Sequence, residues 1–221
     1  MTASAPHSRL ERAIPHVRSL AATLLSAESE KDGPLRIALA SAEPDQGSEV
    51  LSHAMALHIS RGLGRKCVLI ETQPSPSAGP GFSEYLAGTA KFEDCILLGI
   101  DGGPSILPFG RTRRSDEISI SFSRLNRLLE RLSGIAEVLV FHVPGVNVAP
   151  ELILLLQKMD AVVLVAARDR ADKDQLAHAR DHMQKARVRL VGAVLTDEKQ
   201  SLWQRFARHF RFRGSGPHGY L

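Results

Sequence analysis

The sequence predicts a doubly wound α/β domain on a mostly parallel sheet, and three observations carry that expectation. Short apolar runs recur at 36–42, 66–70, 105–108, 137–141, 161–166 and 190–195, without the apolar–polar alternation of a half-exposed strand. Between most of them lie stretches with apolar residues at helical spacing, and strands alternating with helices in this way make a parallel sheet covered on both faces. The stretch 36–72 is the most organised: strand, tight loop, amphipathic helix, glycine-bearing turn, second strand.

In chain order, the polar residues 1–10 precede a helix expected over 11–27. Ile14, Val17, Leu20, Ala21, Leu24 and Leu25 fall near helical spacing there, and Pro15 is tolerable only near the helix start. The charged stretch 26–34, ending in Gly-Pro, stops it. After the first strand, a helix over 47–61 sets Val50, Leu51, Ala54, Leu57 and His58 on one side, and Gly62 and Gly64 break it. A Pro- and Ser-rich loop over 72–80 leads to short helices at 81–88 and 92–98, then a polar loop after the 105–108 strand. A helix over 116–132 aligns Ile118, Phe122, Leu125, Leu128, Leu129 and Leu132 in one stripe. The next strand ends at His142, and Pro150 opens a helix to 158, since an N1 proline has no hydrogen bond to lose. A helix over 173–186 separates the last two strands. Three units result: a tail, helix and linker over 1–34, an α/β domain over 35–198, and a C-terminal tail over 199–221.

The net charge of +4 is unevenly spread: 199–221 holds five Lys and Arg and no acid, leaving about −1 for everything before it. On charge grounds the body is therefore no nucleic-acid surface. Cys67 and Cys95 make no disulfide framework and point to a reducing compartment. The N-terminus lacks a charged-then-apolar signal pattern, and no apolar run is long enough to span a bilayer. A cytoplasmic location is expected, peripheral to the membrane if the tail binds there.

A phosphate-binding loop needs glycines for close backbone approach, a Lys for the outer phosphates and a Ser or Thr for Mg²⁺, all at a helix N-terminus. SAEPDQGSEV, residues 41–50, resembles the S-x-x-P-G-E-G-K-S-T loop of the bacterial polysaccharide-biosynthesis tyrosine autokinases, within the deviant-Walker, MinD/ParA-like ATPases. The likeness continues in order through VLIETQ, GFSEYLAGTAKFEDCIL, ILPFG, LVFHVPG, DAVVLVAARDRADKDQLAHA and RLVGAVLTD. It implies a P-loop NTPase-like fold over roughly 35–197, acting with membrane-embedded chain-length and export proteins in capsule and exopolysaccharide synthesis.

The departures fall on chemistry. Ser41, Pro44 and Gly47 keep the loop's frame, while Asp45 stands for its first Gly, Ser48 for its Lys and Glu49 for its Mg²⁺-binding hydroxyl. Glu71 and Gln73 replace the two carboxylates of the second Walker strand, His142 the Asp of the third, and Thr196 an Asn near the adenine. A triphosphate would lie beside Asp45 and Glu49 with no Lys to offset them. Unit charges about 4 Å apart repel by about 4 kcal/mol at an effective dielectric of about 20, and a helix N-terminus returns only about 0.3–2 kcal/mol. Asp45 or Glu49 could occupy that N-terminus instead. No catalytic residue, cofactor or metal is expected on this reading; ATP and Mg²⁺ are the alternative, with Glu71 as a metal-binding carboxylate.

His178 and His182 have the i,i+4 spacing of a metal pair but no third ligand, and read as exposed helix histidines. His142 sits where open α/β sheets bind ligands, with no nucleophile evident beside it. Arg111, Arg113 and Arg114 form a basic loop. Arg18 echoes a ring-assembly pattern of the family, E-x-x-R-x-x-R, whose outer positions are Pro15 and Ala21 here; the family's tyrosine-rich tail is reduced to Tyr220. In its place Leu202, Trp203, Phe206 and Phe210 line one helical face, with Arg205, Arg208 and Arg211 around the other. Such a helix packs on its own domain, docks to a protein partner, or lies on an anionic membrane.

The resemblance and its departures together imply a non-catalytic regulatory or scaffolding protein. Its expected partner is a membrane co-polymerase or export protein, or an active kinase homologue. A divergent kinase or ATPase and a MinD/ParA-like positioning protein are the other readings.

Overall fold

The computed structural model describes residues 7–26, 33–74, 79–111 and 121–196, with side chains of the first helix described from Val17 onward. Arg113, Arg114, Tyr220 and the tail residues Leu202, Trp203, Arg205, Phe206, Arg208, Phe210 and Arg211 lie outside them.

The elements in order are α1 (His7–Ser26), β1 (Leu35–Ser41), α2 (Ser48–Leu57), β2 (Cys67–Glu71), α3 (Phe82–Ala87), α4 (Phe92–Cys95), β3 (Ser105–Leu107), α5 (Phe122–Ser133), β4 (Val138–Val143), α6 (Leu152–Leu156), β5 (Ala161–Ala167), α7 (Lys173–Lys185) and β6 (Leu190–Thr196). The six strands form one sheet in the order β3-β2-β4-β1-β5-β6, and every pairing is parallel. This is the α/β architecture expected.

Both faces of the sheet are covered, which is why its central strands read as unbroken apolar runs. On one face, Leu125, Leu128, Leu129 and Leu132 of α5 join α6 over Ile70, Leu139, Phe141 and Leu164. On the other, Val17, Ala21 and Leu24 of α1 and Met55 of α2 cover Ile37, Leu39, Leu69, Val140 and Val163. Each such leucine or phenylalanine contributes roughly 1.5–3 kcal/mol by leaving water.

Several local expectations need correction. The first helix begins at His7, so Pro15 stands inside it and not at its start. The second ends as an α-helix at Leu57 and continues as a π-helical turn, His58–Gly62. The helix expected over 92–98 stops at Cys95, because Leu97 exchanges backbone hydrogen bonds with Ile106 in an antiparallel bridge. Among the described residues β6 is not covered on both faces: it is an edge strand, with Val191 48% and Leu195 63% exposed.

The parallel register brings three strand ends together. Glu71 of β2 lies beside His142 of β4, and Leu39 of β1 beside the same residue, so β1 delivers Ser41 just beyond it. Phe141→Ala, in the centre of this sheet, is expected to cost about 3–5 kcal/mol. Leu98→Ala, at a residue 71% exposed, should cost about 0.5 kcal/mol or less. Urea unfolding followed by far-UV circular dichroism checks both.

Candidate functional site

A tight loop carries the chain from β1 into α2. Asp45 and Gly47 both take left-handed conformations, φ 61° and 85°. Aspartate is among the few non-glycine residues that adopt this region readily, so it can stand where the family places glycine. Gly47 cannot be exchanged as easily. A Cβ there would lie 2.8 Å from Thr196 Oγ1, and the same hydroxyl donates to the Gln46 carbonyl at 3.1 Å.

Neighbouring loops hold this turn from outside. The Pro44 ring packs so close to Gly145 that a Cβ on the glycine would meet it at 3.2 Å. Val146 N–H donates to Ser41 O and Asn147 N–H to Ala42 O, both at 3.0 Å. Arg170 Nη1 donates to Asp45 O at 3.0 Å. The Asn147 amide donates to Glu43 Oε1 at 3.2 Å and to the Gln175 carbonyl of α7 at 3.1 Å.

Inside the turn runs a chain of buried polar groups. Ser41 Oγ donates to Glu43 O at 2.8 Å, Ser41 and Ser48 hydroxyls lie 3.3 Å apart, and Ser48 Oγ lies 3.2 Å from His142 Nε2. Each hydroxyl has one proton to give. Ser41 spends its own on Glu43, so Ser48 must donate to Ser41 and accept from His142. The order is therefore His142 Nε2–H to Ser48, Ser48 to Ser41, Ser41 to the Glu43 carbonyl. A neutral imidazole with its proton on Nε2 satisfies every contact. Its electrostatics agree: burial, then the charge on His53, push the His142 pKa down to about 3 against the opposing pull of Glu71. Thr72 Oγ1 fixes the strand end by donating to His142 O at 2.8 Å.

The carboxylates are placed around this chain, not in it. Glu71 Oε1 pairs with His53 Nε2 at 3.2 Å, and His53 Nδ1 donates to the Glu49 carbonyl at 2.9 Å. Burial pulls the His53 pKa down, but the hydrogen bond and charge of Glu71, helped by Glu49, raise it on balance. The Glu49 carboxyl is raised by partial burial and by Glu71 and Asp45, with His53 opposing. Gln73 lies in the bend beyond β2, and among the described residues no hydrogen bond ties it to the cluster.

Ser41, Pro44, Asp45, Gly47, Ser48, Glu49, Glu71 and His142 thus lie together where β1, β2 and β4 end and α2 begins, and Gln73 does not join them. The expectation that Asp45 or Glu49 could occupy the helix N-terminus is met only in position: Glu49 lies in the first turn of α2, and no side chain makes a capping hydrogen bond there. A hydroxyl does stand beside His142, but both groups are buried, 2% and 4% exposed, so the pair offers no accessible nucleophile. Three contributors were missed. His53 carried only the signal of its i+4 spacing from Glu49, Gln46 none, and the hold of Thr196 on Gly47 none. Gln46 is 2% exposed and its Oε1 is buried without a partner. His178 is exposed and bonded to Asn147 at 3.1 Å, His182 is half-buried, and among the described residues no three His, Cys, Asp or Glu are grouped to hold a metal. Among them, too, no helix is long and apolar enough to cross a membrane.

No family model matches the chain. It is homologous to the tyrosine-protein kinase CpsD of Streptococcus agalactiae, 20% identical over 176 residues, which cover 75% of this chain and 76% of that protein. The kinase domain of the Escherichia coli tyrosine kinase ETK superposes with a TM-score of 0.75 at 20% identity, covering 95% of this chain and 80% of that one. The Aquifex aeolicus cell-division protein MinD gives 0.60 at 15%, covering 78% and 73%. A cobyrinic acid a,c-diamide synthase from Mycobacterium smegmatis, with ADP and magnesium bound, gives 0.59 at 15%, covering 81% and 82%. These likenesses establish the P-loop type of fold.

Gly47→Ala is expected to destabilise the protein by about 1 kcal/mol or more, from its positive φ and the collision with Thr196. Adding Thr196→Ala should recover part of that loss and leave the φ strain, which a double-mutant unfolding cycle resolves. His142 also sets a pH dependence. Its folded pKa lies below its ordinary 6.5, so the unfolded chain binds the extra proton below that pH and stability falls as pH drops. The slope is about 1.4 kcal/mol per pH unit for one proton. Glu49 and His53, both raised, work in the opposite sense: Glu49 adds stability as pH falls toward its ordinary 4.5, and His53 loses it as pH rises above 6.5. Unfolding His142→Asn across the acidic range should show the wild-type decline flattened.

Proposed function

We propose that this homologue of the bacterial tyrosine kinases has exchanged its phosphate-binding chemistry for an internal polar lock. On this reading it works as a non-catalytic regulatory or scaffolding partner of the polysaccharide synthesis and export machinery. One observation carries the proposal: Ser48, at the position of the family's Lys, is hydrogen-bonded at 3.2 Å to His142, at the position of the family's Asp. The two positions hold a neutral pair that needs neither phosphate nor magnesium.

The residues present do not fit ATP and Mg²⁺. A triphosphate on this turn finds no lysine, and the exposed carboxylates of Asp45 and Glu49 flank the turn. Their repulsion, about 4 kcal/mol for each charge pair at about 4 Å, exceeds what a helix N-terminus returns. Glu71, the remaining candidate for magnesium, is engaged by His53. No phosphoryl-transfer step is assigned to any residue of the chain.

What remains is a kinase-shaped surface. Such a surface suits binding to the cytoplasmic end of a membrane co-polymerase, beside or in place of an active kinase homologue. Isothermal titration with ATP and Mg²⁺ is expected to give no heat of binding, and micromolar affinity would return the chain to the catalysts. Affinity capture from the native membrane fraction should recover polysaccharide co-polymerase or export proteins, and their absence would remove the assigned role.

A further inference from the structure

Among the described residues the sheet ends at β6 without a cover. β6 pairs with β5 on one side only, and a bulge opposite Val162 and Val163 resets its register. Past that bulge Ala193 and Leu195 stand beside Leu164 and Ala166, which are 6% and 2% exposed. The same row of the sheet therefore passes from dry core to water within one strand spacing. The other face of β6 is open at Gly192, beside Val163, with nothing within 4 Å of where its Cβ would stand. An edge strand with free backbone groups and bare apolar side chains is a template for aggregation unless something blunts it.

The chain itself supplies a match. It leaves β6 at Thr196, and Leu202 opens a stripe of Leu202, Trp203, Phe206 and Phe210, with Arg205, Arg208 and Arg211 off the stripe. Six residues reach at most about 20 Å when extended, enough to turn around the sheet edge but too few to carry the stripe far from it. So short a tether gives the segment a local concentration on the order of millimolar, which a second copy must match by collision. A bilayer would take up the stripe and leave the edge bare.

We infer that the apolar stripe of the C-terminal segment folds back onto the exposed row of Val191, Ala193 and Leu195 of its own chain and closes the sheet, with its arginines facing water. This stands independently of the function proposed above.

Trp203 is the single tryptophan of the chain, so its fluorescence reads the contact directly in the full-length protein. The emission should be blue-shifted from that of free tryptophan, poorly quenched by acrylamide, and independent of protein concentration. Leu195→Asp should shift it to the red with the circular dichroism spectrum retained. Leu98→Asp, at an exposed apolar residue elsewhere, should leave it in place. Red-shifted, readily quenched emission from the wild type would overturn the inference, as would a blue shift unmoved by Leu195→Asp. A blue shift that grows with concentration would assign the edge to a second copy, and one that appears only with phosphatidylglycerol vesicles would assign the stripe to the membrane; either outcome rejects intrachain docking.

Discussion

An uncharged imidazole buried at the end of a central strand needs a partner for its proton, and Ser48 provides one. The hydrogen bond from His142 to Ser48 is the contact on which the rest of the site depends. It lets β4 carry a polar residue among wholly buried neighbours, and it ties the first turn of α2 to the sheet. Through Ser41 it reaches the Glu43 carbonyl, at the start of the loop that carries the left-handed Asp45 and Gly47. An unpaired polar group in the same place would cost about 1–3 kcal/mol, which is why the lock works only as a complete chain ending on the Glu43 carbonyl.

Around that chain the charges have been sorted by depth. The buried groups are neutral, two hydroxyls and an imidazole, while the ionisable ones lie toward the opening and are paired or exposed. His53 and Glu71 hold each other at 3.2 Å, and the charge on His53 in turn helps keep His142 uncharged. A site built for magnesium and a triphosphate shows the reverse order, with its strongest charges converging on the centre of the turn. Thr196 braces Gly47 and Gln46 from β6.

Much of this was legible in the sequence, for reasons that differ from place to place. β1, β4 and β5 declare themselves because both their faces are dry, so polar residues stand only near their ends, at Arg36, Ser41 and His142. β6 has the same apolar character and was misread, since an apolar run does not say whether a further element covers it. The positions of Ser41, Ser48 and His142 followed from motif spacing, but their union did not. It requires the parallel register of β1 and β4, which brings together residues 94 apart in the chain. His53 was hidden for a related cause: its local partner is only a backbone carbonyl one turn back, and its charge partner comes from another strand. Gln46 gives no local sign that its amide is buried.

The protonation of His142 bears on all of this at once. Nitrogen-15 NMR of the imidazole, with and without ATP and Mg²⁺, reads its charge, its tautomer and its response to nucleotide in one sample. The expected result is a neutral ring protonated on Nε2 throughout the mildly acidic range, unchanged by nucleotide. A ring that titrates near the ordinary 6.5, or one that shifts when ATP and Mg²⁺ are added, would contradict the lock.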